Sequence, residues 1–269
     1  IVATGDQGRF PSICIWSVDS CEQIAKCAGF HKRAVCSLAF SKDGSRVASV
    51  GMDDEHSVAV YDWANGTLLG SSKGDTNRIL DIRRNDSKGA DANNEFVTVG
   101  VKHVRFWTLD GSRLDSNRGL LGNLGEYQTY LTLTFTTLFT VVGTQSGELY
   151  CFKGRKLTNV VDAHQKSIYS MFGVGDNIYT GGRDGYVSKW NLNTFKKELS
   201  VNLNKVESPE VLKAHTNSIR AVHVLEGTET LVAGTLTGTI NKVNMTSGAV
   251  STVVKAHYGD LKVRRTYGE

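Results

Sequence analysis

Residues 163–191 read AHQKSIYSMFGVGDNIYTGGRDGYVSKWN, and paler copies of this stretch recur along most of the chain. It passes from a His-containing loop into an apolar strand, a short loop, and a second strand ending in small residues and Gly. A tight turn follows, then a third strand with an aromatic near its end. Repetition at this length means one supersecondary unit used many times. One copy runs from Phe30-His31 through CSLAF (36–40), VASVG (47–51) and SVAVYDW (57–63). The next runs from Gly74-Asp75 through ILDIR, EFVTVG and HVRFW to Trp107. A weaker copy joins YLTLTF, LFTVVGTQSG and ELYCF to Phe152, and a last one runs from Ala214-His215 through IRAVHV, TLVAGTLTG and TINKVN to Asn244.

The strands alternate apolar residues with small or polar ones, as in Ser57-Val58-Ala59-Val60-Tyr61, and are rich in Val, Ile, Thr and aromatics. Period-two alternation with β-branched enrichment indicates strand rather than helix. No window shows the sustained three-to-four spacing of a capped helix. Pro11 and Pro209 both fall in predicted loops, as suits sheets whose interiors need every backbone donor. The chain therefore reads as all-β: a β-propeller of four-stranded antiparallel blades, about five complete, with partial blades at both ends. The expected blades are 29–72, 73–118, 119–160, 161–211 and 212–255, with partial blades at 1–28 and 256–269, in one propeller domain or fragment. IVATG and ICIWSV (to Val18) match second and third strands, and AHYGDLKV near the end matches a leading loop and first strand. The strand near Leu261 and Val263 either completes the opening blade or leads into further repeats, which is the favoured expectation.

In the clearest copy, His164, Thr180, Asp184 and Trp190 stand where WD-repeat blades place a buried hydrogen-bond chain. Asp accepts from imidazole, imidazole meets the Thr hydroxyl, and the indole N–H closes the set. Such a network fixes the leading loop to the blade because every buried polar group finds a partner. A catalytic His-Asp pair is the competing reading, but no nucleophile accompanies it. Other copies are degenerate: the one at His31 keeps Ser49 and Asp53 with Tyr61 near the Trp slot, and the one at His215 has Ala233, Thr237 and Val243. Asp184→Ala is expected to cost roughly 1–3 kcal/mol by orphaning a buried donor.

The chain's 269 residues, 40% hydrophobic and 22% charged, match ordinary globular composition, and repetition explains one domain of this length. No run approaches a membrane span, and the N-terminal IVATG is not a signal peptide. Cys14, Cys21, Cys27, Cys36 and Cys151 form no C-x-x-C pair, so reduced intracellular thiols are expected, leaving the sequons at Asn65, Asn85 and Asn244 irrelevant. A formal charge of +4 does not by itself imply a nucleic-acid partner. The loops before first strands and between second and third strands carry Arg9, Lys32, Arg33, Arg78, Lys102, His103, Lys166, Arg183 and Arg220. Of these, Arg9, Lys32, Arg33, Lys102, His103, Lys166 and Arg183 are the candidate partner-binding face. Asp53, Asp54, Glu55 and Asp184 temper it, and ordinary solvated loop charge is the alternative reading.

Catalytic signatures are missing: no phosphate loop, no H-E-x-x-H and no G-x-S-x-G. Asp86-Ser-Lys88-Gly-Ala-Asp91 resembles a calcium loop only superficially, since Lys88 stands where an oxygen ligand is needed; it reads as a polar insertion between two strands. His56 and His103 are placed on loops and His223 on a first strand, without a second ligand at metal spacing. No cofactor and no metal are expected. Arg83-Arg84, Lys196-Lys197 and Arg264-Arg265 are isolated pairs without interleaved aromatics, so no nucleic-acid role is assigned.

At HKRAVCSLAFSKDGSRVASVGMDDEHSVAVYDW (31–63) the chain resembles the echinoderm microtubule-associated protein-like family, through its long Asp53-Asp54-Glu55-His56-Ser57 turn and the following Tyr61-Asp62-Trp63. The resemblance continues through VTVGVKHVRFWT (97–108), Arg118-Gly119 with Gly122, VVGTQSGELYCF (141–152), TGGRDGYVSKW (180–190), SIRAV (218–222) and LVAGTLTGTI (231–240), and covers nearly the whole chain. It implies the N-terminal propeller, of about seven blades in the full protein, from a tandem pair. It also implies a non-enzymatic module that binds microtubules or tubulin, located in the cytoplasm and on the cytoskeleton, including the spindle. The family's hydrophobic motif before the first repeats and its coiled-coil oligomerisation segment do not occur in this sequence. A generic WD-repeat scaffold for another protein, and a metal-assisted hydrolase of propeller type, are the alternatives.

Overall fold

The computed structural model describes residues 1–87, 89–206, 217–225 and 227–255. Lys88, Pro209, the Ala214-His215 pair, Arg264-Arg265 and the strand expected within AHYGDLKV lie outside them. Among the described residues, the only helical element is a short 3-10 turn at Leu203–Val206. Among the described residues the chain divides into two compact units, Ile1–Leu120 with Tyr127–Tyr130, and Leu121–Glu126 with the stretch from Leu131 to Lys255.

The first unit opens with β1 (Val2–Gly5), β2 (Gln7–Gly8), β3 (Ser12–Trp16) and β4 (Gln23–Ala28). Strands β1, β3 and β4 form an antiparallel three-stranded sheet in that order. A four-stranded meander follows: β5 (Arg33–Phe40), β6 (Arg46–Gly51), β7 (Val58–Asp62) and β8 (Thr67–Ser72). The next comprises β9 (Ile79–Arg84), β10 (Glu95–Gly100), β11 (His103–Asp110) and β12 (Arg113–Arg118). A single parallel pair, Arg113 with Ser71, joins β12 to β8, and β2 pairs with β5 at the far edge. The polar insertion around Asp86 lies between β9 and β10, as its composition suggested.

The second unit holds three more meanders. They are β13 (Tyr130–Phe135), β14 (Thr140–Thr144), β15 (Glu148–Lys153) and β16 (Lys156–Asp162); β17 (Ile168–Val174), β18 (Asn177–Gly182), β19 (Tyr186–Asn191) and β20 (Lys196–Asn202); and β21 (Ile219–Val224), β22 (Thr230–Thr235), β23 (Thr239–Asn244) and β24 (Val250–Lys255). Strand β16 runs two residues past the expected boundary at 160.

Burial explains the sequence pattern. The second strands β6, β10, β14 and β18 are almost wholly buried, while the outer strands β8, β12, β20 and β24 are mostly exposed or half-buried. Alternation in the inner strands therefore sorts residues between two buried faces, not between core and water. In β6 and β7, Val47, Ala59 and Tyr61 pack with Ile13 and Ile15 of the preceding sheet. Their neighbours Ala48, Val50, Val58 and Val60 pack with Ile79, Phe96 and Trp107 of the following one. The same division recurs in the second unit, where Ile178 and Trp190 join Val141 and Leu149, and Tyr179 and Val187 join Ile219 and Leu231. Each such fully buried aliphatic side chain contributes about 1.5–3 kcal/mol of burial free energy.

Candidate functional site: histidine networks and the basic loops

The strongest polar cluster forms where the loop before β17 meets the β18–β19 turn. His164 Nδ1 lies 3.0 Å from Asp184 Oδ1 and 3.1 Å from Oδ2, and its Nε2 lies 2.7 Å from Thr180 Oγ1. Trp190 Nε1 donates to the same Thr180 oxygen at 3.3 Å. Asp184 also accepts the backbone N–H groups of Gln165 and Tyr186, each at 3.2 Å. Burial alone would raise the Asp184 pKa, but the bond and charge of His164 and the two N–H donors bring it below the ordinary carboxylate value. Gly182 makes this possible: a Cβ there would overlap both the Asp184 carboxylate and the His164 ring. Thr180 is fully buried and fixed between imidazole and indole, so its hydroxyl is not presented to any substrate.

The corresponding networks differ in chemistry. In the β5–β8 sheet, His31 Nε2 meets Ser49 Oγ at 2.7 Å, while Ser57 stands between the ring and Asp53, which is 3.9 Å away. Tyr61 faces Val47 in the register where Trp190 faces Ile178. Desolvation lowers the His31 pKa to about 4 against the opposing pull of Asp53.

In the β9–β12 sheet the pair is reversed: the acid, Asp75, comes from the leading loop and the histidine, His103, from the turn. His103 Nδ1 donates to Val101 O at 3.0 Å and lies 3.6 Å from Asp75 Oδ1. Asp75 is ion-paired with Arg105 and Arg118, each at 2.9 Å, and accepts the Asn77 N–H at 3.1 Å. Burial would raise the Asp75 pKa, but the Asn77 bond, His103 and Arg105 hold it at about 2. Trp107 keeps the indole bond, donating to Thr98 at 2.8 Å. The turns after β14 and β22 use hydroxyls instead: Thr144 with Ser146, and Thr235 with Thr237 and Thr239, all within 2.9 Å.

These networks correct one expectation. His103 is 2% exposed and opens strand β11, so it is part of an internal lock and not of a contact surface. Arg9, Lys32, Arg33 and Lys102 are exposed in the first unit, and Lys166 and Arg183 in the second. Arg33 is paired with Asp54 at 2.7 and 3.0 Å. Arg9, Lys32 and Arg33 line one groove, a concavity of about 730 Å³ whose wall also contains Phe10 and Phe30. Sequence reasoning passed over Arg105 and Phe10, and met Arg118 only as part of a family motif. Aligning GVKHVRF (100–106) on GGRDGYV (181–187) sets His103 against the acid of the clearest copy's turn, but nothing in that alignment marks Asp75 as its partner.

Among the described residues, no group of three or more His, Cys, Asp or Glu is placed to hold a metal, and no helix is long and apolar enough to cross a membrane. All five cysteines are free.

Repeated four-stranded meanders closed at their turns by polar networks, of which the one in β17–β20 is the full His, Asp, Thr and Trp set, define a WD-repeat β-propeller. Solved structures of that fold superpose on the chain: the RRP9 WD40 repeats with a TM-score of 0.74 at 17% identity, covering 94% of this chain and 78% of that one. The Cps50 (Swd1) β-propeller domain of Myceliophteria thermophila gives a TM-score of 0.75 at 12% identity, covering 95% and 83%. Residues 1–243 match the echinoderm microtubule-associated protein first β-propeller, and the chain belongs to that family. Its relatives include the 77 kDa echinoderm microtubule-associated protein of Strongylocentrotus purpuratus, 28% identical over 95% of this chain and 36% of that protein. Echinoderm microtubule-associated protein-like 2 of Homo sapiens is 28% identical over 93% of this chain and 38% of that protein. The chain thus spans just over a third of the length of these relatives.

Proposed function

We propose that this chain is a non-enzymatic binding module of a cytoskeletal organiser, with tubulin, in microtubules or as the free dimer, as its partner. The observation that carries this reading is the match of residues 1–243 to the first propeller of a family named for microtubule association. The geometry of the His164 network supports the non-enzymatic part, because its hydroxyl and carboxylate are engaged in holding the blade together. The exposed cations Arg9, Lys32, Lys102, Lys166 and Arg183 suit an acidic partner and a salt-sensitive approach. Cytoplasmic, cytoskeletal placement follows from the same reading.

Co-sedimentation with stabilised microtubules at low and moderate salt tests it, with a longer chain of the same protein run beside this one. Saturable binding that weakens with salt is expected. If neither chain pellets with microtubules nor captures free tubulin, the module serves another protein as a scaffold.

A further inference from the structure

We propose that the groove between residues 7–10 and 29–33 is a docking site for an acidic, extended segment of a partner protein that carries one apolar side chain. Phe10 is 82% exposed on its wall, an aromatic ring left in water, with the Arg9 guanidinium 5.4 Å from its centroid. Isolated exposed apolar residues need no explanation, but this one belongs to a concavity that also holds Phe30. The charged residues of the wall are Arg9, Lys32 and Arg33, with no acid among them. Asp54 answers Arg33, and neither Arg9 nor Lys32 has an ion-pair partner among the described residues. Two unanswered cations beside an apolar ring select carboxylates next to a hydrophobic anchor.

Two backbone features point to an extended occupant. Strand β2 is paired with β5 on one side and ends its sheet, so its other edge is free of any strand among the described residues. Being two residues long, it would give an extended segment a backbone bond or two, leaving the side chains of the wall to supply the rest. Arg33 has φ of +70°, and the Ala34 N–H donates to Lys32 O at 2.9 Å, closing a γ-turn of the rare positive-φ kind. Strain of this sort concentrates at ligand clamps, and here it fixes Lys32 at the groove's edge. The pairing of Gly8 with Arg33 and the buried His31 hold the turn in place. A nucleic-acid strand is the weaker fit, since its phosphates call for a longer run of cations.

The test uses the 269-residue chain and a fluorescein-labelled decapeptide of glutamates with one central phenylalanine, read by anisotropy. Saturable binding that weakens with salt is expected. Arg9→Glu with Lys32→Glu should weaken it at least about tenfold, and Phe10→Ser by about threefold or more, with melting temperatures unchanged. Reversing the exposed Lys153 and Lys196 should leave it as it was. Absence of binding at low salt, indifference to the Arg9 and Lys32 reversal, or equal binding of an oligothymidine through the same residues would overturn the proposal. No tubulin enters this experiment, so its failure is separate from failure of the microtubule reading.

Discussion

Replacing Thr180 by Val keeps the shape of the side chain and removes one oxygen on which three groups converge. His164 Nε2 lies 2.7 Å from that oxygen, Trp190 Nε1 lies 3.3 Å away, and the hydroxyl itself reaches Ser188 O at 3.4 Å. The His164 side chain is 1% exposed and Trp190 is 4% exposed, so water cannot replace the lost partner. Each stranded group costs about 1–3 kcal/mol, partly offset by the added methyl, for a net loss of about 2–4 kcal/mol. In a chain of this size that lowers the melting temperature by about 5–15 °C. Guanidinium denaturation of Thr180→Val, Trp190→Phe and the double variant gives the coupling. Once the oxygen is gone the indole N–H is already unpaired, so the two losses should fall short of additivity by about 1 kcal/mol. A Thr180→Val protein as stable as the parent, or strictly additive losses, would refute the hydrogen-bond account of this blade.

His31 supplies a pH test. Its folded pKa of about 4 is below its ordinary value of 6.5, so the stability it confers is whole above pH 6.5 and is lost as pH falls toward 4. Complete protonation would cost roughly 3 kcal/mol, and denaturation curves across that interval should flatten in His31→Gln. Asp75, held at about 2 against a model-peptide 3.8, contributes stability above pH 3.8 that disappears between about pH 4 and 2. Asp75→Asn at neutral pH should cost about 2–4 kcal/mol by leaving Arg105 and Arg118 without their carboxylate; unchanged stability would count against the reversed pair. Burial raises the Cys151 thiol to about 12, so iodoacetamide should label exposed Cys21 in the folded chain and reach Cys151 only on unfolding.

The all-β fold and its repeating strands were legible because period-two alternation and the Gly-bounded turns survive in every copy. His164, Thr180, Asp184 and Trp190 were legible as well, since the spacing of that copy is undegraded and the structure brings all four together. The β9–β12 lock was not, because its acid and histidine exchange places: Asp75 reads as a loop residue and His103 as a surface cation until their pairing is known. Which loop cations share a groove depends on how β2 folds back on β5, a two-residue pairing with no mark of its own in the sequence. Phe10 was overlooked for a related reason, since an aromatic beside Pro11 in a long turn gives no sign of whether it points inward or into water.

The inner strands carry a consequence for how such a chain can change. In β6 and β7 alternate residues belong to different hydrophobic clusters, one shared with the sheet before and one with the sheet after. No blade there owns a core of its own; it holds half of two. A copy transplanted from elsewhere in the array would arrive with both faces cut for other neighbours, so repeats that began alike become progressively non-interchangeable as each pair of facing surfaces co-adapts. Divergence among the copies is then a record of position in the array, and the order of the blades is written into their side chains as well as into the chain that connects them.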